Sequence, residues 1–264
     1  MQNICDSLKF LAERNEINYS DVQKIKDVMI KIYTLLSKNK DSKADQIKRG
    51  LLYKPIIFIP NSKLFVTCDR VVKSLGMEEI KPYLMEVPEE YGAYFKLFEL
   101  LGMIPHPTIC SFVRVLAHLK VDVGENPLHE NELKKIQKAL QQLCISLSSI
   151  NETMFKELVD MNALYLPTRD KKLENATNIV YADNKSFEDR IKHDIGMPFM
   201  LNFEDIEVIT VGNMVLDFKK LPPKLQPNIL SEMITKELNK DVLNVTEDER
   251  GGQLRDFVMS QHFL

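Results

Sequence analysis

The chain has only nine glycines among its 264 residues. That leaves little material for loops that grip a ligand through their backbone. Neither G-x-x-x-x-G-K-[ST] nor G-x-G-x-x-G is present to cradle phosphates, so ATP binding and hydrolysis are not expected. No G-x-S-x-G offers an exposed nucleophilic serine. His106, His118, His129, His193 and His262 show no H-E-x-x-H spacing, and none stands beside a cysteine pair at zinc spacing. The four cysteines, Cys5, Cys68, Cys110 and Cys144, are scattered without a C-x-x-C. Cys110 and Cys144 lie in apolar helical patterns, where a reduced cysteine acts as a small hydrophobe. No apolar run approaches the roughly 20 residues that span a bilayer. The opening residues Met1 to Asp6 lack the basic-then-apolar form of a signal peptide. A cytoplasmic protein without cofactor, metal or membrane partner is expected.

Apolar residues make up 44% and charged residues 28%, a balance ordinary for soluble globular proteins. The net charge of −3 gives no general attraction for a phosphate backbone, so no nucleic-acid partner is expected. Sequons begin at Asn18, Asn151, Asn175, Asn184 and Asn244. In a cytoplasmic chain these are expected to be helix caps and polar turns.

A phrase occurs twice. Ile57-Phe58-Ile59-Pro60-Asn61-Ser62-Lys63-Leu64 is echoed by Leu164-Tyr165-Leu166-Pro167, then Lys172-Leu173. Each copy reads as an apolar strand, a polar turn and a second strand: Leu64 to Val66 in the first, Ile179 to Tyr181 in the second. An acid follows each, Asp69 or Asp183. The two copies are expected to share strand–turn–strand geometry, with Phe58 and Tyr165 on comparable faces.

Helices surround these units. Ile4 to Leu11 reads as a short one. Ser20 and Gln23 form a capping box before a 3.6-residue rhythm through Val22, Ile25, Val28, Met29, Ile32, Leu35 and Leu36. Pro88 to Met103 reads as a helix with Tyr91, Tyr94, Phe95, Phe98 and Leu101 in a stripe, stopped by Gly102. Tyr91, Tyr94 and Phe95 are candidate protein-contact residues, although a core role suits the stripe better. Helices are also expected after Pro107-Thr108 and from Leu133 to Leu147, where Lys134, Lys135 and Lys138 could form a basic patch but are read more simply as a solvated face. In the second half, Ser186 to Ile195 reads as a charged helix. Gly212-Asn213 reads as a hairpin turn, and Leu225 to Leu238 as a helix with Pro227 in its first turn. The division between subdomains is placed at 1–150 and 151–264. The whole reads as a helix-dominated α+β protein, with short β elements in two related strand–turn–strand units.

The best catalytic candidate is Glu247-Asp248-Glu249, whose carboxylates could hold Mg²⁺ in a metal-dependent hydrolase. Acids at a helix start explain the cluster more simply. The chain ends on Phe263-Leu264, two large apolar residues that suit a contact with further sequence, so the chain is expected to be a fragment of a longer protein.

Several phrases then resemble the sacsin family. Lys81-Pro82-Tyr83-Leu84 with Val87-Pro88 is similar to its "KPYL…LP", and Phe98-Glu99-Leu100-Leu101-Gly102 to its "LFE.LG". Asn131-Glu132-Leu133 resembles a helix-opening "NEL". Leu164 to Pro167 with Val180-Tyr181-Ala182-Asp183 resembles "LYLP…LVYND", and Leu221 to Pro227 resembles "LP..LRP". Asn184 after Asp183, and Gln226 where the pattern has arginine, are departures. No single phrase is specific, but they arrive in the family's order. The family comprises giant cytoplasmic co-chaperone-like proteins with repeated regions, each opening with an ATPase-like domain of the gyrase and histidine-kinase superfamily. This chain has no counterpart of that domain's nucleotide boxes, nor of the family's terminal modules. The resemblance therefore implies a non-catalytic segment downstream of the ATPase-like part. It would serve neighbouring domains as scaffold, or handle unfolded or filament-forming protein clients through an apolar groove between helices. A plain structural spacer remains an alternative.

Overall fold

A computed structural model describes residues 19–183, 188, 196–201 and 218–234. The chain is a helix-dominated α+β protein, and its strands among the described residues are two or three residues long. The first helix, α1 (Tyr19–Asn39), buries Ile25, Met29, Tyr33 and Leu36, spaced to share one face. The Gln23 amide donates to Asp27 at 2.8 Å. Val28 and Leu35, expected in the apolar stripe, are exposed. After α2 (Ala44–Leu51) comes the first hairpin, β1 (Ile57–Ile59) and β2 (Leu64–Val66), antiparallel with Phe58 opposite Phe65.

The hairpin leads through a 3₁₀ turn at Cys68–Arg70 into β3 (Val71–Val72), which pairs in parallel with β4 (Met85–Glu86) and bridges Ile104. The expected helix from Pro88 is shorter than its aromatic stripe. Glu89–Tyr94 is a 3₁₀ helix, and only α3 (Phe95–Leu100) is α-helical. Tyr91 N donates to Pro88 O at 2.9 Å, an i→i+3 bond of the tighter helix. Gly102 stops α3 as anticipated: its φ of +103° suits glycine, and Met103 N returns to Phe98 O at 2.9 Å.

Two long helices follow, α4 (Ile109–Val123) and α5 (Glu130–Ser148), which pack on each other. Then come α6 (Glu152–Val159) and the second hairpin, β5 (Tyr165–Pro167) with β6 (Leu173–Asn175). Asn151 caps α6 by accepting from Met154 N at 2.9 Å, and Asn175 accepts from Thr177 N at 3.2 Å. Two of the sequons are thus a cap and a turn, as read from the sequence.

The return strand of the second copy is β6, not the predicted Ile179 to Tyr181. That run belongs to β7 (Val180–Tyr181), the counterpart of β3. The correspondence runs at one constant offset: left-handed Lys63 matches left-handed Lys171, the 3₁₀ turn Cys68–Arg70 matches Ala176–Asn178, and Val71 matches Ile179. Phe58 therefore corresponds to Leu166, and Tyr165 to Ile57. Phe58 is buried and Tyr165 only partly so. Lys172 intervenes between Lys171 and β6, shifting the return strand by one residue and exchanging the faces of its side chains. Asp69 corresponds to Thr177, and Asp183 is no counterpart of it; the Asp183 carboxylate accepts from Ser231 N at 3.0 Å and from Ser231 Oγ.

Like β3, β7 has parallel partners on both edges, β8 (Asn228–Ile229) and a bridge to Phe199. The helix expected from Leu225 opens later, at residues 230–234. Pro227 holds Gln226 extended (ψ 139°), and Asn228 pairs with β7 while its amide donates to Thr177 O and Ile179 O.

The short third strands join the cores. Successive residues of a strand face opposite ways. Val71 lies in a first core with α1, the first hairpin and α3, while Val72 lies in a second core with α4, α5 and the second hairpin. In the second copy Ile179 belongs to that second core and Val180 to a third cluster with Phe199 and Leu230. The second core contains residues from both sides of position 150, from Val72 to Leu225. The predicted segments Ile4 to Leu11 and Gly212-Asn213 lie outside the described residues, as does most of Ser186 to Ile195.

Candidate functional site

The first 3₁₀ turn places two charged side chains where the first core meets α4. Arg70 Nη2 lies 3.2 Å from His118 Nδ1, and His118 Nε2 lies 3.5 Å from Asp69 Oδ2. A guanidinium can only donate, so Nδ1 accepts and Nε2 carries the proton toward Asp69. Burial disfavours charge on the Asp69 carboxyl. Hydrogen bonds from His118 and Thr67 outweigh it and hold the group down at about 2, below its ordinary 3.8. The Arg70 guanidinium carbon also sits 5.6 Å from the centre of the Tyr83 ring, and Lys135 Nζ sits 5.5 Å from the same centre. Burial, then a hydrogen bond to Asp122, pushes the Tyr83 hydroxyl far above its usual range. His118 is thus a partnered histidine, joining residues distant in sequence.

Lys135 carries this polar seam into a half-open cleft of about 720 Å³ between residues 77–81 and the first turns of α5. Lys81, Lys134, Lys135 and Lys138 line it with Glu78 and Glu79, and Gln137 contributes to its wall. Lys138 pairs with Glu78 at 2.7 Å, Lys81 with Glu79 at 3.0 Å, and Lys134 with Glu130 at 2.6 Å. The sequence reading anticipated an apolar groove between helices; in this cleft Met77 and Ile80 stand beside the charged side chains.

The aromatic candidates divide. Tyr91 is fully buried and packs edge-on to Tyr33 at 5.2 Å, so it offers a partner no surface; the core reading of the stripe holds for it. The Tyr94 hydroxyl lies 2.8 Å from Thr34 Oγ1, and the Phe95 ring lies under Lys73 Nζ at 5.4 Å, both partly exposed. Phe263, Leu264 and Glu247 to Glu249 lie outside the described residues. Burial pushes the Cys110 thiol up to about 11 and the Cys68 thiol higher still, which keeps both protonated and poorly nucleophilic. Among the described residues no three His, Cys, Asp or Glu side chains converge on a metal position, and no helix is long and apolar enough to cross a membrane.

Of the seam and the cleft, the sequence offered only Lys134, Lys135 and Lys138 as a candidate basic patch. Asp69, Tyr83, His118 and Lys135 come from four separate segments, and the repeat gave no help because Asp69 and Arg70 are replaced by Thr177 and Asn178 in the second copy.

Among known proteins, human sacsin is 26% identical over 248 residues, covering 90% of this chain. The chain is sacsin-related. It spans about 5% of the length of sacsin, so it corresponds to one segment of that protein. The ordered phrases seen in the sequence fall on structural joints: the sacsin-like Lys81 to Leu84 leads into β4, and Leu221 to Pro227 leads into β8. No protein-family model matches the chain, and no solved structure matches it.

Proposed function

We propose that this chain is a non-catalytic scaffold and client-handling segment of a sacsin-like cytoplasmic co-chaperone. It would lie downstream of an ATPase-like domain and carry no nucleotide chemistry of its own. The observation that supports this reading is the doubled third strand. Val71 and Val72 belong to successive cores, and so do Ile179 and Val180. An architecture in which each module joins only its neighbours is suited to extending a long chain. Phe155 and Val159, 39% and 45% exposed, lie one turn apart on α6 and offer apolar contact to a neighbouring domain or an unfolded segment.

Two measurements test this. The chain should suppress aggregation of a heat-unfolding protein, and F155D/V159D should lose that effect while keeping its melting temperature. Suppression by neither protein would leave a structural spacer. ATP with Mg²⁺ at millimolar concentration should leave the melting temperature unchanged; a saturable rise would overturn the non-catalytic reading.

A further inference from the structure

Gln137 is 2% exposed, lies against the lysine-lined cleft, and has no hydrogen-bond partner for its Nε2. An amide N–H buried without an acceptor loses its hydrogen bond to water and gains none in return. Leucine in its place would complete the buried face of α5, where Leu133, Ile136 and Leu140 already point inward. An amide at this position makes sense where an incoming acceptor completes it. The surrounding charge says which acceptor. Four lysines and two glutamates line the cleft, and among the described residues no carboxylate pairs with Lys135. Lys135 therefore retains a full charge for an anion.

The shape selects an extended ligand over a point ion. Asn131 and Gln141 mark the ends of the lining along α5. At 1.5 Å per residue they stand roughly 15 Å apart, the reach of about four residues of extended peptide. The volume falls within the range of about 300–1,000 Å³ common to ligand clefts. A nucleic-acid backbone suits it less well, because Glu78 and Glu79 interrupt the basic row that an unbroken line of phosphates would need.

We propose that this cleft binds an acidic, extended peptide segment of about four residues. One carboxylate would accept from Gln137 Nε2 beside Lys135, and a second acid would exchange with Glu78 or Glu79 for Lys138 or Lys81. The inference rests on the client-handling reading and gives it a place and a chemistry.

The test uses the full 264-residue chain and a fluorescein-labelled peptide with four consecutive Glu/Asp residues, followed by fluorescence anisotropy. A matched Gln/Asn peptide, a single-stranded oligonucleotide and inorganic phosphate serve as competitors. The acidic peptide should bind about tenfold or more tightly than the neutral one, since a hydrogen bond to a charged group is worth that much. Gln137→Leu should weaken binding about tenfold while raising the melting temperature, because it removes the orphan amide. Lys135→Glu, a surface change, should abolish binding in a folded protein. Equal binding of the neutral peptide, or full binding by both variants, overturns the proposal. So does a competitor that displaces the peptide at equal concentration. Failure of the wild-type chain to bind the acidic peptide, with its aggregation suppression intact, overturns the cleft alone; peptide binding by a wild-type chain that suppresses no aggregation overturns the broader client-handling reading alone.

Discussion

Tyr33 brings a hydroxyl into the middle of the first core. It donates to Ile56 O at 2.7 Å and accepts from Phe58 N at 3.2 Å, so it fixes the entry to β1. Its ring meets Tyr91 at 5.2 Å and Phe98 at 5.1 Å, both edge-on. Burial is what drives its pKa well above the ordinary range, so it stays neutral. Tyr33→Phe keeps the ring and leaves two buried backbone groups without this partner. We expect a loss of about 1–3 kcal/mol in chemical denaturation; a smaller change would mean that the backbone finds another partner. Asp69 gives a prediction with a sign. Its folded pKa, about 2, lies below the ordinary 3.8. Its contribution is therefore complete above about pH 4 and disappears as pH falls toward 2. Asp69→Asn should be less stable by up to about 2 kcal/mol at pH 7, and the gap to wild type should close between pH 4 and pH 2. A constant gap across that window would show that the carboxylate is not held by His118 and Thr67.

At the scale of the element, the two hairpins make the same demand on a side chain that neither copy meets ideally. Lys63 and Lys171 have φ values of +51° and +56°. That region disfavours residues with a Cβ, and β-branched residues most of all. Glycine at either position should leave stability unchanged or raise it by a few tenths to about 1 kcal/mol. Valine should cost more than about 1 kcal/mol at both. A matching response in thermal unfolding supports one shared turn; opposite responses would separate the copies. In α3, Phe98 is fully buried against Tyr33. Phe98→Ala should cost roughly 3–5 kcal/mol, measured as a lowered melting temperature. A folded variant with unchanged melting and lost client binding would make Phe98 a contact residue instead.

Across the whole molecule, the cores overlap in sequence. Residues Leu158, Leu164, Leu166, Leu173 and Ile179 complete the core of α4 and α5. A chain ending at residue 150 would leave that face in water, at roughly 1.5–3 kcal/mol for each large side chain uncovered. We expect the full chain to unfold in one transition, and a fragment of residues 1–150 to lack a cooperative melt by circular dichroism. A sharp melt for the fragment would support the division at 150 read from the sequence.

The helices and both hairpin entries were legible because they rest on local order: apolar spacing in α1, α4 and α5, the stop at Gly102, the strand before Pro60. The likeness to sacsin was legible for a related reason, since its phrases sit at structural joints and keep their order. The sequence could not set the register of the second hairpin, because the repeated prolines align at an offset that the left-handed lysines do not share. Nor could it foresee β7 as the counterpart of β3, for two-residue strands have no periodicity and take their identity from what they pair with. The Asp69–His118–Arg70 seam lay wholly beyond it, and of the Gln137 cleft it offered only the lysines of one helix. Charges in separate segments meet only after hydrophobic burial has brought those segments together, and burial is set by the tertiary packing of every element at once.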